Sequence, residues 1–406
     1  MVSVRNRAGA CFLFLFFVPF LAQAQIDPEY RRLVQFGYNQ PLEGKGPIAG
    51  YGFYYFNQPD IRSNLTLRLV VAPIYVDTEL GFRGLLGPNT DFALGLAGGG
   101  FAQSYSEIRS GQFFQEESFT GHGGDASVSL YHRFNPDQEL PVSLVLRGGT
   151  EVSIYDRDSL TATNFQLPSD RASFYIRTGL RCGGQEPSLT EPLALELSVW
   201  HESQFRDQAD RYGFNDDRSV EAVTHLFWAR ALLKYTFQNE QLFEFTATAG
   251  DSVDADRFSA YRLGGMLPFA SEFPLNIPGY YYQEFSAKRF VLLNGEYSFP
   301  LTPKKNLRFT FYGATARVQH LDPAEQSGQW QSGVGGGLTF ISPSGAWLVS
   351  VIYAHGFDAM RDGRGANQIG LLFQWDLEAK KNGKSRFFTP GVSPYRSRGG
   401  ERLFRN

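Results

Sequence analysis

The segment Gln368-Ile369-Gly370-Leu371-Leu372-Phe373-Gln374-Trp375-Asp376-Leu377 decides the fold. Along an extended chain, successive side chains point to opposite faces. Ile369, Leu371, Phe373, Trp375 and Leu377 therefore share one apolar face, opposite Gln368, Gly370, Leu372, Gln374 and Asp376. The same period of two recurs upstream. Trp347, Val349, Val351 and Tyr353 oppose Leu348, Ser350, Ile352 and Ala354, and Leu307, Phe309 and Phe311 oppose Arg308, Thr310 and Tyr312. Leu193, Leu195, Leu197 and Val199 oppose Ala194, Glu196 and Ser198, and Leu65, Leu67, Leu69 and Val71 oppose Thr66 and Arg68. Even 220–237, whose Ala, Leu and Glu content would tolerate a helix, keeps the alternation.

The pattern predicts an all-β chain of about 14 strands: 48–57, 64–75, 91–105, 121–134, 140–155, 170–182, 193–205, 220–237, 241–252, 284–299, 306–319, 330–342, 346–357 and 367–377. Many exceed the roughly 5–6 residues usual in soluble sheets and reach the ~9–11 of a tilted membrane crossing. Connections alternate between short and long, the rhythm of an outer-membrane barrel with both ends in the periplasm. Segment 76–90 breaks that rhythm, and Leu80, Phe82 and Gly84 within it suit an extra hairpin, so 12 to 16 strands fit. Aromatics at strand ends, Tyr51, Phe56, Tyr75, Phe92, Phe134, Phe237 and Phe299, are expected in the interfacial girdles. A secreted β-sandwich is the rival that alternation alone leaves open.

Composition agrees with a barrel. Of the 406 residues, 42% are hydrophobic, 15% aromatic and only 19% charged. Such an aromatic load excludes disorder, and a formal net charge of -3 excludes a strongly basic nucleic-acid protein. Residues 1–24 read as a signal peptide: Arg5 and Arg7, then the apolar run Cys11 to Ala22, then Ala22-Gln23-Ala24. Beyond them no apolar stretch reaches the ~18 residues of a membrane helix. Cleavage leaves Cys182 as the one cysteine, so no internal disulfide forms. The expected layout is a short periplasmic segment at 25–47, a barrel over 48–377 and a basic periplasmic tail at 378–406.

Four pieces of the C-terminal third carry a family likeness. Tyr261-Arg262-Leu263-Gly264-Gly265 opens the longest connection, 253–283, and Ile277-Pro278-Gly279-Tyr280 falls near its far end. Leu293 to Leu301 carries Glu296, and the glycine-alternating run Gly333, Gly335, Gly337 leads into the turn Ser342-Pro343-Ser344-Gly345. In order and spacing, 257–377 resembles the Omp85 superfamily of outer-membrane barrels, the bacterial surface antigen (D15) type, in its barrel-only form without POTRA modules. The resemblance implies that the long extracellular loop folds into the lumen, where its arginine pairs with an acidic residue on the wall. Here Pro278 takes the arginine's place, and 307–317 holds no Asp or Glu. The loop is then expected to be held by stiff backbone and by aromatic packing of Pro278 to Tyr282, with Glu272 and Glu284 as polar contacts. Gly333, Gly335 and Gly337 either leave room for that loop or relieve strand curvature.

Other constellations read as ordinary surface. The six histidines make no HExxH spacing, and although His201 and Ser203 share a face, no third residue orients them. Asp251, Asp254 and Asp256 lack the EF-hand pattern. No catalytic residue, metal or cofactor is expected. The resemblance implies a non-enzymatic part in translocation or outer-membrane biogenesis, a monomer in outer-membrane lipid and lipopolysaccharide, and a periplasmic assembly partner. A porin-like diffusion channel and a structural or surface-binding barrel stay open, since lumen-facing Arg68, Glu196, Arg308 and Gln331 suit each.

Overall fold

The computed structural model describes residues 30–47, 49–100, 105–135, 140–183, 193–266, 273–321, 328–361, 363–382 and 387. Within them, sixteen antiparallel strands close into a barrel. They are β1 (Arg31–Pro41), β2 (Ala49–Arg62), β3 (Leu65–Ala72), β4 (Tyr75–Phe82), β5 (Thr90–Gly100), β6 (Gln112–Arg133), β7 (Val142–Asp156) and β8 (Arg171–Gly183). There follow β9 (Leu193–Arg206), β10 (Val223–Thr236), β11 (Leu242–Val253), β12 (Phe285–Pro300), β13 (Leu307–His320), β14 (Trp330–Ile341), β15 (Trp347–Met360) and β16 (Arg364–Asp376). Each pairs with its chain neighbour, and β1 meets β16 from Leu33↔Asp376 to Pro41↔Gln368.

The count is the upper end of the 12 to 16 expected, with two strands beyond the fourteen first read. Arg31–Pro41, assigned to a periplasmic segment at 25–47, is the first barrel strand. Its alternation is muted, because Arg32 and Gln40 sit on the lipid side while Leu33 sits inside. Tyr75–Phe82 lies where Leu80 and Phe82 suited an extra hairpin, but its start was merged with the strand 64–75, because Ala72 pairs with Tyr75 across a turn of only two residues, Pro73-Ile74. With both strands counted, 63–64 moves to the side of the termini, and eleven strands instead of nine precede the longest connection, while five still follow it. An odd number before it keeps that connection, 254–284, on the far, extracellular side. The signal peptide and nearly all of the basic tail lie outside the described residues.

The outer face is apolar: Phe36, Leu94, Leu197, Val199, Phe227, Val291, Phe311, Leu338, Val351 and Leu371 are exposed along it. The inner face is polar and packed. Arg68, Glu196, Glu202, Arg177 and Gln331 are all buried there. Lumen pairs run between strands, with Arg68 to Asp77 at 2.9 Å, Arg177 to Glu202 at 2.7 Å and Arg230 to Glu196 at 2.7 Å. Tyr51 and Tyr75 depart from the expected girdles. Tyr51 points inward and accepts a hydrogen bond from Gln35 at 2.6 Å, and Tyr75 is buried on the same side.

Only a closed sheet satisfies every backbone N–H and C=O inside hydrocarbon. An arginine at the midpoint of the outer face therefore opposes insertion. Val199→Arg is expected to cost about 2–4 kcal/mol, read as a lower urea midpoint for loss of the heat-modifiable, compact band on gels.

Candidate functional site

The connection between β11 and β12 folds inward and crosses the lumen. It starts at Asp256, whose Oδ1 accepts the N–H groups of Phe258 (2.9 Å) and Ser259 (3.0 Å) while its carboxylate is paired with Arg206 of β9. Tyr261–Leu263 then runs antiparallel to Phe285–Ala287 at the start of β12. The Tyr261 hydroxyl is shared between the carbonyls of Phe227 (2.8 Å) and Asp251 (3.0 Å), tying this ribbon to β10 and β11. Arg262 stays inside its own ribbon, donating to Ser286 and to the Gln283 carbonyl. Gly264 and Gly265 follow with φ of 122° and 70°. A Cβ on Gly264 would lie 2.6 Å from the Tyr281 carbonyl oxygen, so the two limbs of the loop touch backbone to backbone here.

At one end the plug rests on Trp200 of β9 and Trp228 of β10. Their rings stack at 5.9 Å, and Phe273 meets both edge-on at 5.2 and 5.6 Å. At the other end the tip lies on β14 and β15. Ile277 and Tyr280 are fully buried, and the Tyr280 hydroxyl donates to Gln331 at 3.1 Å. Gly333 and Gly356 sit directly opposite each other in these strands. A Cβ on Gly333 would overlap the Pro278 carbonyl, and one on Gly279 (φ 87°) would overlap the backbone of Gly356. So Gly333 does make room for the loop. Gly335 and Gly337 do not, since a Cβ there would meet the wall itself at Ala354 and Ile352.

An ion pair does lock the loop, where the sequence led to the expectation of stiff backbone and aromatic packing with Glu272 and Glu284 as polar contacts. The loop supplies the acid, Glu284, and the extracellular turn between β15 and β16 supplies the base, Arg361. Arg361 Nη1 and Nη2 donate to Glu284 Oε1 and Oε2 at 3.0 and 2.9 Å, with both side chains out of solvent. Tyr281 completes the arrangement: its ring centroid lies 3.5 Å from Arg361 Cζ, and its N–H donates to Glu284 at 2.8 Å. Gly44 and Gly46, after β1, leave space for that ring. The sequence marks Glu284 as a polar contact of the loop, but nothing in it names Arg361, 77 positions away, as the partner. Glu272 lies outside the described residues.

A second layer closes the mouth above the plug. Tyr105–Arg109 pairs with the extended start of β6, and the tip Ser110-Gly111 reaches the opposite wall, where a Cβ on Gly111 would overlap the Met360 carbonyl. Under this hairpin Tyr105, Phe119, Tyr155, Phe165 and Tyr212 form a buried aromatic cluster against Phe258 of the plug. Arg109 grips Glu117 at 2.6 Å through both terminal nitrogens, Arg218 also pairs with Glu117, and Arg257 reaches Glu107 at 3.2 Å.

The remaining sequence candidates do other things. Glu296 faces the lumen in register with Glu244 and Tyr312 of the neighbouring strands. Pro343 and Gly345 form the periplasmic turn after β14, with Gly345 at φ 67° and its N–H on the Ser342 carbonyl at 2.8 Å. His201 and Ser203 share the lipid-facing side of β9, where Ser203 Oγ lies 3.2 Å from His201 and 2.8 Å from His225. The three aspartates do not converge: Asp251 points outward to Arg289 at 2.8 Å, and Asp256 is spent on Arg206.

A closed sheet that is apolar outside and ion-paired inside, with a loop drawn through it, defines a transmembrane β-barrel of the bacterial outer-membrane type. Solved structures share the fold. CdiB from Acinetobacter baumannii matches with a TM-score of 0.55 at 9% identity, over 86% of this chain and 60% of that one. CdiB from Escherichia coli gives 0.54 at 13% identity, over 86% and 63%. BamA from Haemophilus ducreyi lacking POTRA domains 1-3 gives 0.52 at 10% identity, over 85% and 70%. The chain thus spans about three fifths of the length of the two CdiB proteins. No protein-family model matches it, and no curated protein does.

Two predictions follow from the lock and the cap. Glu284→Gln and Arg361→Met should each cost about 3–5 kcal/mol, because each strands a buried partner, whereas the double variant should recover most of that loss. A double-mutant cycle on urea unfolding measures it. In the cap, burial pushes the Glu117 carboxyl up, but hydrogen bonds and charge from Arg109 and Arg218 outweigh it and hold the group below its ordinary 4.5. A depressed carboxyl stabilises the folded state above that ordinary value and stops doing so as pH falls through the folded one. Protease cleavage within the 105–119 hairpin should therefore rise in acid below about pH 4.5, and Glu117→Gln should blunt that rise.

Proposed function

We propose that this barrel is a gated, non-enzymatic component of translocation or outer-membrane biogenesis, related to the Omp85 type and working with a periplasmic partner. The observation that carries the reading is the plug: one loop spans the lumen from Trp200 and Trp228 to Gly333 and Gly356 and is latched at Glu284 and Arg361. A diffusion channel needs standing water through its centre. Here a desolvated ion pair, a glycine-to-backbone contact and an aromatic cap occupy that path. Such parts suit a passage that opens on demand. The order of Arg262-Leu263-Gly264-Gly265, Ile277-Pro278-Gly279-Tyr280 and Ser342-Pro343-Ser344-Gly345 supports the family likeness, and the CdiB and BamA folds are consistent with it.

Planar-bilayer conductance tests the reading directly. The intact protein should be closed or flicker briefly, and a variant lacking 266–282 should open stably. Steady ohmic openings of the intact protein would instead make it a porin. Co-purification of a POTRA-bearing periplasmic protein is the expected sign of the partner.

A further inference from the structure

Arg171 begins β8 at the extracellular rim and turns inward beneath the cap. It is 6% exposed. The rings of Phe258, from the start of the plug, and Tyr155, from β7, lie 4.5 and 5.0 Å from its Cζ. Its Nε, Nη1 and Nη2 are all buried, and none meets a hydrogen-bond acceptor. Among the described residues, no other buried arginine has all three nitrogens in that condition. Aromatic faces attract a guanidinium, yet they do not replace the oxygen acceptors that its N–H groups lose on leaving water.

The surrounding acids are already committed. Asp256 serves Arg206 and the N–H groups of Phe258 and Ser259. Asp210 accepts from the N–H groups of Ser169 and Arg211. Glu107 and Glu117 are divided among Arg109, Arg218 and Arg257. The buried carboxylates of the cap and the plug's entrance, Glu107, Glu117 and Asp256, are thus each bonded to Arg109, Arg206, Arg218 or Arg257, and the half-buried Asp210 acts on Arg171 through charge without a hydrogen bond. Buried charges are paired and hydrogen-bonded in stable folds, and of the five arginines here, Arg109, Arg171, Arg206, Arg218 and Arg257, Arg171 is the one without a hydrogen-bonded carboxylate.

We infer that Arg171 anchors an oxyanion site between the cap and the plug. Its planar fork takes a carboxylate or phosphate group through paired N–H···O bonds, and Phe258 and Tyr155 shield the pair from water. The side chain faces the lumen, so the ligand is a small dissolved anion and not a headgroup of the surrounding lipid. Because Phe258 belongs to the plug and Tyr155 to the wall, an anion held at Arg171 fastens one to the other.

Acetate and inorganic phosphate, each titrated against chloride at matched ionic strength, test the site through the unfolding of the detergent-folded, full-length protein. At a hundred times its dissociation constant, a bound anion raises the folded-to-unfolded ratio about a hundredfold. The native protein should show that saturable rise with at least one of the two anions, and Arg171→Met should fold yet respond no more than it does to chloride. If Arg171→Met fails to fold, Arg171→Lys, which keeps the charge but loses the fork, should show the same rise at least tenfold less sensitively. An equal response of native and variant proteins, or an effect that chloride reproduces, overturns the assignment.

Discussion

Hydrocarbon offers a backbone N–H no acceptor, and the barrel's form follows from that constraint. Every strand finds a partner on both sides because β1 and β16 meet, and the seam between them is as long as the pairing of β1 with β2. Its ends are tied as well: Leu42 donates to the Asn367 carbonyl at 2.9 Å, Leu377 donates to the Arg32 carbonyl at 3.0 Å, and Arg32 pairs with Glu378 at 3.3 Å. Closure sends alternate side chains inward, where water is scarce. The inward charges answer by pairing across strands, as Arg68 does with Asp77 and Arg230 does with Glu196.

The plug continues that logic with a loop in place of a strand. At the tip its backbone reaches the wall where glycine removes the side chain, at Gly333 and Gly356, and the buried carboxylate of Glu284 finds Arg361. A buried pair of this kind adds little stability over an apolar replacement, but each half is costly alone. It therefore specifies where the loop sits more than how tightly the barrel holds together. Tyr281 sharpens the specification by flanking the guanidinium and donating its N–H to Glu284, so three groups must coincide.

Period-two alternation was enough to read most of the barrel wall from the sequence, because one face meets lipid and the other does not. It faltered where that contrast weakens, at Arg31–Pro41, and where a turn is only two residues long, at Pro73-Ile74. The loop's inward course was legible through the resemblance carried by Arg262-Leu263-Gly264-Gly265 and Ile277-Pro278-Gly279-Tyr280, and not from periodicity. The lock was only half legible. Glu284 and Arg361 stand 77 positions apart, and nothing local to either says that they meet. The cap was unreadable for the same reason, since the ties of Arg218 to Glu117 and Arg257 to Glu107 join loops that the chain keeps far apart.

The position of Arg361 also fixes an order of assembly. It sits in the last hairpin, between β15 and β16, and β16 is the strand that must find β1, some 330 residues earlier in the chain. Contacts so distant in sequence form late. Until they do, the loop has its wall at β9 and β10 but lacks the strand that bears its latch. Once they do, the sheet is continuous, and 254–284 can no longer enter sideways. The plug is thus enclosed by the same event that completes the ring, and a chain that closed with this loop outside could admit it only by parting its strands again.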